Sequence, residues 1–135
     1  MQFKLKKISS KLINSNNSII NVFEKKKLFL IKRCFILSKL KMSQIRGNHA
    51  HKACHQFIIS INGLIKIEVI YKNRKNTISL KNSSEGLYVP PYHWIKIKNF
   101  KKNNSILVLC SNNYNESDYI RDFDVFKNLN FKHLK

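Results

Sequence analysis

The chain has few acidic residues and no long hydrophobic run. Only 7 of its 135 residues are Asp or Glu, against 26 Lys and Arg, so the formal net charge is +19. No apolar stretch approaches the roughly 20 residues that a transmembrane helix needs, which excludes a protein of that class. No apolar segment follows the charged N-terminus either, and we therefore expect no secretion signal.

Glycine, proline and cysteine are also scarce. The chain has 3 Gly and 2 Pro, and no Gly- or Pro-rich linker divides it, while 43% hydrophobic residues are enough to fill one core. We therefore predict a single domain over residues 1–135. The three cysteines, Cys34, Cys54 and Cys110, are odd in number and show no CxxC spacing, which favours reduced thiols in a cytoplasmic protein.

The excess of positive charge is mostly lysine. Only 4 of the 26 basic residues are Arg, and Asn (17) and Ile (18) are abundant as well. Lys, Asn and Ile all have AT-rich codons, so a codon bias accounts for this composition whatever the protein does. Because the lysines are spread over nearly every segment and no nucleic-acid-binding motif is present, we expect no nucleic-acid partner. A positive surface still favours an anionic small molecule.

Short β-rich segments separated by polar turns dominate the chain after residue 28. The clearest signal is at 56–71, where two such segments flank Asn62-Gly63. This pattern predicts a β-hairpin with a type I′ turn. Many short strands with no helix between them predict an antiparallel sandwich or barrel.

The two ends of the chain differ from this middle part. Residues 1–18 are rich in Lys, Ser and Asn, and we expect them to form a loosely ordered or edge-pairing arm. Near the other end, Asn115 has the character of a helix N-cap. Tyr119, Phe123 and Phe126 then recur at helical spacing and predict a short terminal helix.

Three of the five histidines, His49, His51 and His55, fall within seven residues. Side chains two apart in a strand point to the same face, so we expect His49 and His51 to enter the mouth of a barrel together. Arg46 and Gly47 come just before them. The glycine allows a sharp bend and the arginine is suited to bind an anion.

Three interpretations of the histidine cluster are open. The first is a metal site with His93 as a further ligand, although Gln56 stands where a carboxylate is expected and an amide lacks the charge that a hard ion prefers. The second is acid–base catalysis, because imidazole titrates near neutral pH. The third is a structural role, with the histidines hydrogen-bonded on a strand. The neighbouring Arg46 and Gly47 favour a functional site.

Four motifs carry a resemblance to a known family. They resemble the nucleotide-sugar 3,4-ketoisomerases (WxcM-like), small cupin-like enzymes that act on dTDP-4-keto-6-deoxyglucose. The similarity extends from about Lys32 to Phe126. The motifs are Arg46-Gly47-Asn48-His49-Ala50-His51-Lys52, then Gln56, then Gly86-Leu87-Tyr88-Val89-Pro90-Pro91 with Trp94, and Asp118-Tyr119-Ile120-Arg121-Asp122-Phe123-Asp124.

This resemblance implies an all-β fold, a cupin-like double-stranded β-helix (jelly roll), to which the sequence adds the short C-terminal helix. It also implies a homodimer without metal or cofactor. The implied reaction interconverts the 4-keto and 3-keto forms of a dTDP-linked 6-deoxyhexose, for deoxy- or amino-sugar synthesis in surface polysaccharides. A proton on C3, acidified by the C4 ketone, is removed and redelivered to C4. The resemblance assigns this transfer to His51 and a hydrogen bond to the carbonyl oxygen to His49.

Substrate-binding residues are inferred from the same resemblance. Arg46 is the candidate for the diphosphate, which a guanidinium can hold through two hydrogen bonds. Arg33 is a second candidate on an earlier strand. Gln56 and Trp94 are expected to line the site.

Other parts of the resemblance limit or qualify the assignment. Tyr119 and Arg121 are expected to anchor the terminal segment to the barrel or to a partner subunit. Family members carry a tyrosine in the strand after Lys32-Arg33, where this chain has Phe35 and its neighbours, and a histidine after the tryptophan, where this chain has Ile95. These departures leave open an altered substrate preference. The alternatives to the isomerase are a non-catalytic cupin-like module that binds sugars or a partner protein, and a metal-dependent cupin enzyme.

Overall fold

The computed structural model describes residues 4–24, 28–129 and 131, and most of the regular structure in these ranges is β-strand. No helix in them is long and apolar enough to cross a membrane. In chain order the elements are β1 (Lys6–Ser9), β2 (Lys11–Ser15), β3 (Ser18–Val22), β4 (Arg33–Leu40), β5 (Ile45–His51), β6 (Gln56–Ser60), β7 (Ile65–Tyr71), β8 (Arg74–Leu80), β9 (Glu85–Val89), β10 (Trp94–Asn99), β11 (Asn104–Cys110), a 3-10 turn (Glu116–Asp118), β12 (Tyr119–Ile120) and α1 (Phe123–Lys127).

Two five-stranded antiparallel sheets form the body of the protein. The first has the strand order β1-β9-β6-β11-β4 and the second has the order β12-β5-β10-β7-β8. From β4 onward, successive strands mostly alternate between the two sheets, so the chain repeatedly crosses from one to the other. This is a jelly-roll arrangement, and the predicted all-β fold with a short C-terminal helix is confirmed.

The core lies between the sheets and is mainly aliphatic. In β7, Ile65, Ile67 and Val69 are buried at alternate positions, and they face a layer that includes Ile58 and Ile106 of the first sheet. This alternation follows from the pleat of a strand, and branched side chains pack well on a pleated surface. Each such buried side chain stabilises the fold by roughly 1.5–3 kcal/mol.

The predicted hairpin at 56–71 is wrong. β6 pairs with β9 and β11 in the first sheet, whereas β7 pairs with β8 and β10 in the second. Asn62-Gly63 therefore connects the two sheets. The Asn62 amide donates to Asn104 Oδ1 at 2.9 Å, and Asn104 Nδ2 donates to Ser60 Oγ at 2.9 Å. Because Asn104 on β11 is fully buried, these bonds hold the connection against β11 and direct β7 away from β6.

The terminal segment contains a helix, but the helix starts later than Asn115. The side chain of Asn115 caps only the 3-10 turn of residues 116–118. Tyr119 is not helical, since it opens β12 and pairs with β5. Asp122 caps α1 by accepting hydrogen bonds from two backbone amides, and Phe126 of this helix is 1% exposed.

The N-terminal arm was expected over residues 1–18, of which residues 1–3 lie outside the described ranges. β1 pairs with β9 at the edge of the first sheet. β2 and β3 form a separate two-stranded sheet. This hairpin exposes four large apolar side chains, namely Leu12, Ile13, Ile19 and Ile20.

Candidate active site

A β-bulge in β5 brings Arg46 and His49 to one cavity. In the pairing of β5 with β10, Asn48 is the extra residue. Gly47 and Asn48 have φ values of +85° and +61°. A Cβ atom on Gly47 would lie 3.0 Å from the Ile95 carbonyl oxygen, so the bulge favours glycine at this position. Because the extra residue shifts the alternation of side chains, Arg46 and His49 both line the same cavity.

His51 forms a hydrogen-bonded pair with Asp118. The two residues meet because β12 pairs with β5, with Tyr119 opposite His51. Nδ1 of His51 lies 2.8 Å from Asp118 Oδ2, while Asp118 Oδ1 accepts a hydrogen bond from the Ala53 amide at 2.6 Å. Since the carboxylate is an acceptor, Nδ1 carries the proton and Nε2 keeps its lone pair, as a general base requires.

The free nitrogen of His51 is buried. His51 is 4% exposed, and its Nε2 has no hydrogen-bond partner among the residues that the structure describes. A buried polar atom left in this way costs free energy, so an unused acceptor here indicates a place for a ligand atom. His51 does not line the cavity itself, but its ring contacts the rings of His49 and Tyr119, which do.

His49 is held in its neutral form. Its ring is perpendicular to that of His51, with 5.0 Å between the ring centroids. Burial, followed by repulsion from the His51 imidazole, lowers the pKa of His49 from 6.5 to about 4. Both ring nitrogens are buried, and the backbone carbonyl of Gly47 partly opposes this lowering of the pKa. Such an imidazole is a weak base at neutral pH, but its N–H is available to donate to a substrate oxygen.

Tyr119 and Arg121 cover the histidine pair. The Tyr119 ring centroid lies 4.3 Å from that of His51 and 5.0 Å from that of His49. The Arg121 guanidinium lies 4.3 Å from the same tyrosine ring, and Glu116 accepts two hydrogen bonds from it, at 2.6 and 3.0 Å. Exposed ion pairs contribute little to stability, so the main effect of Glu116 is to orient Arg121 at the edge of the cavity.

The cavity beside His49 has a volume of about 360 Å³, within the range of small-molecule sites. One part of its wall is polar and another is apolar. The polar part consists of Arg46, Asn48, His49, Gln56, Tyr119 and Arg121, and the apolar part includes Phe35, Leu37, Ile58, Ile95 and Ile97. A wall of this kind can hold the hydroxyl or keto groups of a sugar on one side and a methyl group on the other.

Three of the predicted substrate-binding residues lie at or next to this cavity. Arg46 and Gln56 are part of its wall. Arg33 lies behind it, with its guanidinium 5.5 Å from the centroid of the Phe35 ring and a hydrogen bond of 3.5 Å to Cys110 Sγ. Arg33 therefore does not line the cavity, but it contacts two residues that do, Phe35 and Tyr119.

Trp94, the fourth predicted binding residue, does not reach the cavity. Side chains alternate along β10, and the neighbours Ile95 and Ile97 are the ones that line the cavity wall. Trp94 is 5% exposed and packs against Phe123 and Phe126, with ring centroids 5.0 and 5.5 Å apart. It therefore anchors α1 on the opposite face of the second sheet.

The histidines that a metal-dependent cupin site would use are not brought together. Nδ1 of His55 is hydrogen-bonded to the Tyr88 hydroxyl at 2.7 Å. His93 stacks on Tyr71 with 4.2 Å between ring centroids. Neither shares the cavity with His49, so the geometry disfavours a site built on all of these imidazoles.

Sequence reasoning missed what the terminal segment contributes to the site. Asp118 was only part of a motif, and Tyr119 and Arg121 were expected to be anchors, whereas all three contact the histidine pair or the cavity. The available signal was alternation, which puts Tyr119 and Arg121 on one face of a strand. That signal does not say which strand β12 pairs with.

Comparisons with known proteins identify the family. The family model FdtA, described as WxcM-like, C-terminal, matches residues 1–130. A TDP-4-oxo-6-deoxy-alpha-D-glucose-3,4-oxoisomerase of Aneurinibacillus thermoaerophilus is 36% identical over 118 residues, which cover 87% of this chain and 85% of that protein.

Solved structures are similar over nearly the whole chain. QdtA, a sugar 3,4-ketoisomerase from Thermoanaerobacterium thermosaccharolyticum in complex with TDP, has a TM-score of 0.84 and 33% identity over 94% of both chains. WlaRA, a TDP-fucose-3,4-ketoisomerase from Campylobacter jejuni, has a TM-score of 0.82 and 35% identity over 93% of this chain and 94% of its own. The resemblance expected from the motifs is thereby confirmed, and the chain belongs to the WxcM-like (FdtA) family.

Proposed function

We propose that this protein is a nucleotide-sugar 3,4-ketoisomerase that interconverts the 4-keto and 3-keto forms of a TDP-linked 6-deoxyhexose. The observation that carries the proposal is the His51–Asp118 pair beside a neutral His49 at a partly polar cavity. The names of the relatives support the same reaction and the TDP-linked substrate.

The reaction moves one carbon-bound proton. His51 Nε2 removes the proton from C3, which the adjacent C4 carbonyl acidifies, and the electron pair forms the C3–C4 double bond of an enediolate with its charge on O4. The proton on O3 passes to O4 as the C3 carbonyl forms, and the His51 imidazolium returns its proton to C4. No atom is gained or lost, and no redox cofactor enters the balance.

The two histidines have different parts in this scheme. His51 is the base because Asp118 holds its Nδ1–H and stabilises the imidazolium that forms when Nε2 takes a proton. His49, whose pKa is about 4, is too weak a base for this step at neutral pH. As a neutral donor it is suited to hydrogen-bond O4 while negative charge develops there, and no proton has to leave it.

Cationic side chains at the cavity favour an anionic substrate. Arg46 is exposed at the rim and Arg121 is fixed by Glu116, so the two guanidinium groups can flank a diphosphate. Hydrogen bonds between a guanidinium and phosphate oxygens are charge-assisted and frequently bidentate. The apolar wall formed by Phe35 and Ile95 suits the 6-deoxy methyl group of the sugar.

Solvent exchange provides the test of this function. In deuterated buffer, the protein should convert TDP-4-keto-6-deoxyglucose to the 3-keto isomer, and deuterium should enter at C4 to the extent that the His51 proton exchanges with solvent before it is returned. His51→Asn should lower turnover on the order of 10²–10⁴-fold and leave nucleotide binding nearly unchanged. His93→Asn is the matched control, because His93 stacks on Tyr71 away from the cavity. Substrate binding by the wild type without formation of the 3-keto isomer would favour a non-catalytic sugar-binding module.

The cellular setting follows from the same chemistry. The three cysteines are free thiols, which is typical of a reducing compartment, and we infer that the protein works in the cytoplasm. A C3 ketone is an electrophile to which an aminotransferase can add an amino group. The product is therefore suited to deoxy- or amino-sugar synthesis for surface polysaccharides.

A homodimer is the assembly that we propose. The β2–β3 hairpin forms its own sheet and exposes apolar side chains, and an isolated two-stranded hairpin is marginally stable in water. The outer face of the first sheet carries a mainly apolar groove of about 420 Å³ that includes Phe57, Ile59 and Leu107. A second copy can cover both surfaces at once, since a twofold interface uses the same patch on each subunit.

Molecular mass in solution tests the dimer. Light scattering should give the mass of two chains for the wild type and of one chain for Ile19→Asp. Ile19 is 65% exposed on the hairpin, and Met42→Asp is a matched control because Met42 is 58% exposed in a turn elsewhere. A wild-type monomer at micromolar concentration would contradict the proposal.

A further inference from the structure

His51 also belongs to a second cluster of chemically reactive side chains, which it forms with Cys54 and Asp118. The ligand atoms of His51, Cys54 and Asp118 all lie within 4.8 Å of one another. The set is shielded from solvent, since His51 and Cys54 are 4% and 2% exposed and the Asp118 side chain is 12% exposed. The Cys54 thiol donates a hydrogen bond to the His55 carbonyl oxygen at 3.4 Å.

We propose that His51, Cys54 and Asp118 form an inhibitory binding site for Zn²⁺ or a similar thiophilic divalent cation. Imidazole nitrogen, thiolate sulfur and carboxylate oxygen are the donor types that Zn²⁺ prefers. Zinc bonds to these donors are about 2.0–2.3 Å long. Side-chain shifts of about 1 Å would therefore bring the three atoms around one ion.

The site forms because a turn follows β5 directly. His51 is the last residue of that strand, and Cys54 follows three residues later. Asp118 directly precedes β12, the strand that pairs with β5. The amide of Ala53, within this turn, already fixes Asp118 Oδ1 at 2.6 Å. The carboxylate is thus held beside both the imidazole and the thiol without any ion present.

Inhibition follows from the two nitrogens of one imidazole. In the catalytic state that we propose, Nδ1 of His51 carries the ring proton and donates a hydrogen bond to Asp118 Oδ2 at 2.8 Å. Nε2 then keeps its lone pair and acts as the base. An ion between these two atoms takes the lone pair of Nδ1, so the ring proton must lie on Nε2. A protonated Nε2 cannot accept the C3 proton. The Cys54 thiol releases its proton to solvent as the sulfur binds.

The inhibitory effect rests on the proposed isomerase function, but occupation of the site by a metal does not. Cobalt(II) titration of the reduced wild-type protein should give a thiolate-to-cobalt charge-transfer band. Cys54→Ser should lose this band, and cobalt should bind at least tenfold more weakly, since even changes outside the ligand shell cost about 10–100-fold in metal affinity. Cys34→Ser is the matched control, because Cys34 is an exposed thiol on β4, and it should keep the band.

Activity measurements complete the test. Micromolar Zn²⁺ should lower wild-type turnover at least tenfold, a chelator should restore it in the presence of a thiol-free reductant, and Mg²⁺ should have no effect because it prefers oxygen ligands. Cys54→Ser should keep its turnover in Zn²⁺, and the fluorescence of Trp94 should show that it is folded.

The possible failures can be told apart. No cobalt–thiolate band in the wild type, or loss of the band in Cys34→Ser, would overturn the metal site. A band with turnover unchanged by Zn²⁺ would overturn the inhibitory role. Absence of turnover in metal-free protein that still shows the band would count against the isomerase function and leave the metal site intact.

Discussion

Acid should destabilise this protein through His49 over a defined pH range. The pKa of His49 is about 4 in the folded chain and 6.5 as its ordinary value, so the unfolded chain binds a proton there more tightly. Stability from this residue is complete above about pH 6.5 and falls as the pH is lowered through 6.5 toward 4. At 1.36 kcal/mol per pH unit of difference, the loss amounts to about 3 kcal/mol.

Urea unfolding at a series of pH values measures this loss. Trp94 is the only tryptophan in the chain and is 5% exposed against α1, so its fluorescence should report unfolding. His49→Gln replaces the titrating ring with a neutral amide. Between about pH 7.5 and about pH 4, the free energy of unfolding should fall by about 3 kcal/mol more in the wild type than in His49→Gln.

The difference between the two proteins isolates His49. Burial also lowers the pKa of His55 and of His93, and both residues are present in the wild type and the variant. Their contributions to the pH dependence therefore cancel. Parallel curves, with free energies of unfolding that fall by equal amounts, would refute the argument that His49 is buried in its neutral form.

Two further predictions concern the chemistry of the site. Asp118→Asn should lower kcat about 100-fold or more and change KM little, because an amide can hold the His51 ring in the wrong tautomer; steady-state kinetics checks this, and an unchanged kcat would remove Asp118 from the proposed mechanism. Arg46→Ala should raise KM for the nucleotide sugar, and the difference from wild type should shrink at high salt because ions screen an exposed charge; a salt-independent difference would contradict diphosphate binding at Arg46.

Short-range patterns in the sequence predicted the placement of side chains better than they predicted which strands pair. The same-face relation of His49 and His51 follows from the period of a strand, and their ring centroids lie 5.0 Å apart. Both were expected to enter the mouth of the barrel, but only His49 lines the cavity. The hairpin at 56–71 failed because all five residues of β6 are buried, and such a strand is compatible with several partners. In the structure, hydrogen bonds of the buried Asn104 side chain, far away in sequence, hold the connection between β6 and β7 against β11.

Which residues line the cavity also depends on strand pairing and register. Arg46 and His49 are three residues apart, so simple alternation assigns them to opposite faces, and only the bulge at Asn48 brings both to the cavity. Trp94 was expected to line the site, whereas its neighbour Ile95 does so, because nothing in the sequence says which face of β10 meets the cavity. Pairing and register, rather than residue chemistry, decide these cases.

The shortest strand of the fold, β12, holds the terminal segment against the strand that carries His49 and His51. β12 has two residues and makes two paired positions with β5, yet it contains the aromatic cover, and the residues directly before and after it carry the carboxylate and a guanidinium. Elements with so few contacts open more readily than the rest of a protein. Fraying of this strand would thus separate Asp118 from His51 while the sandwich stays folded, so the fraction of competent molecules depends on the pairing of β12 with β5 and not on the stability of the core.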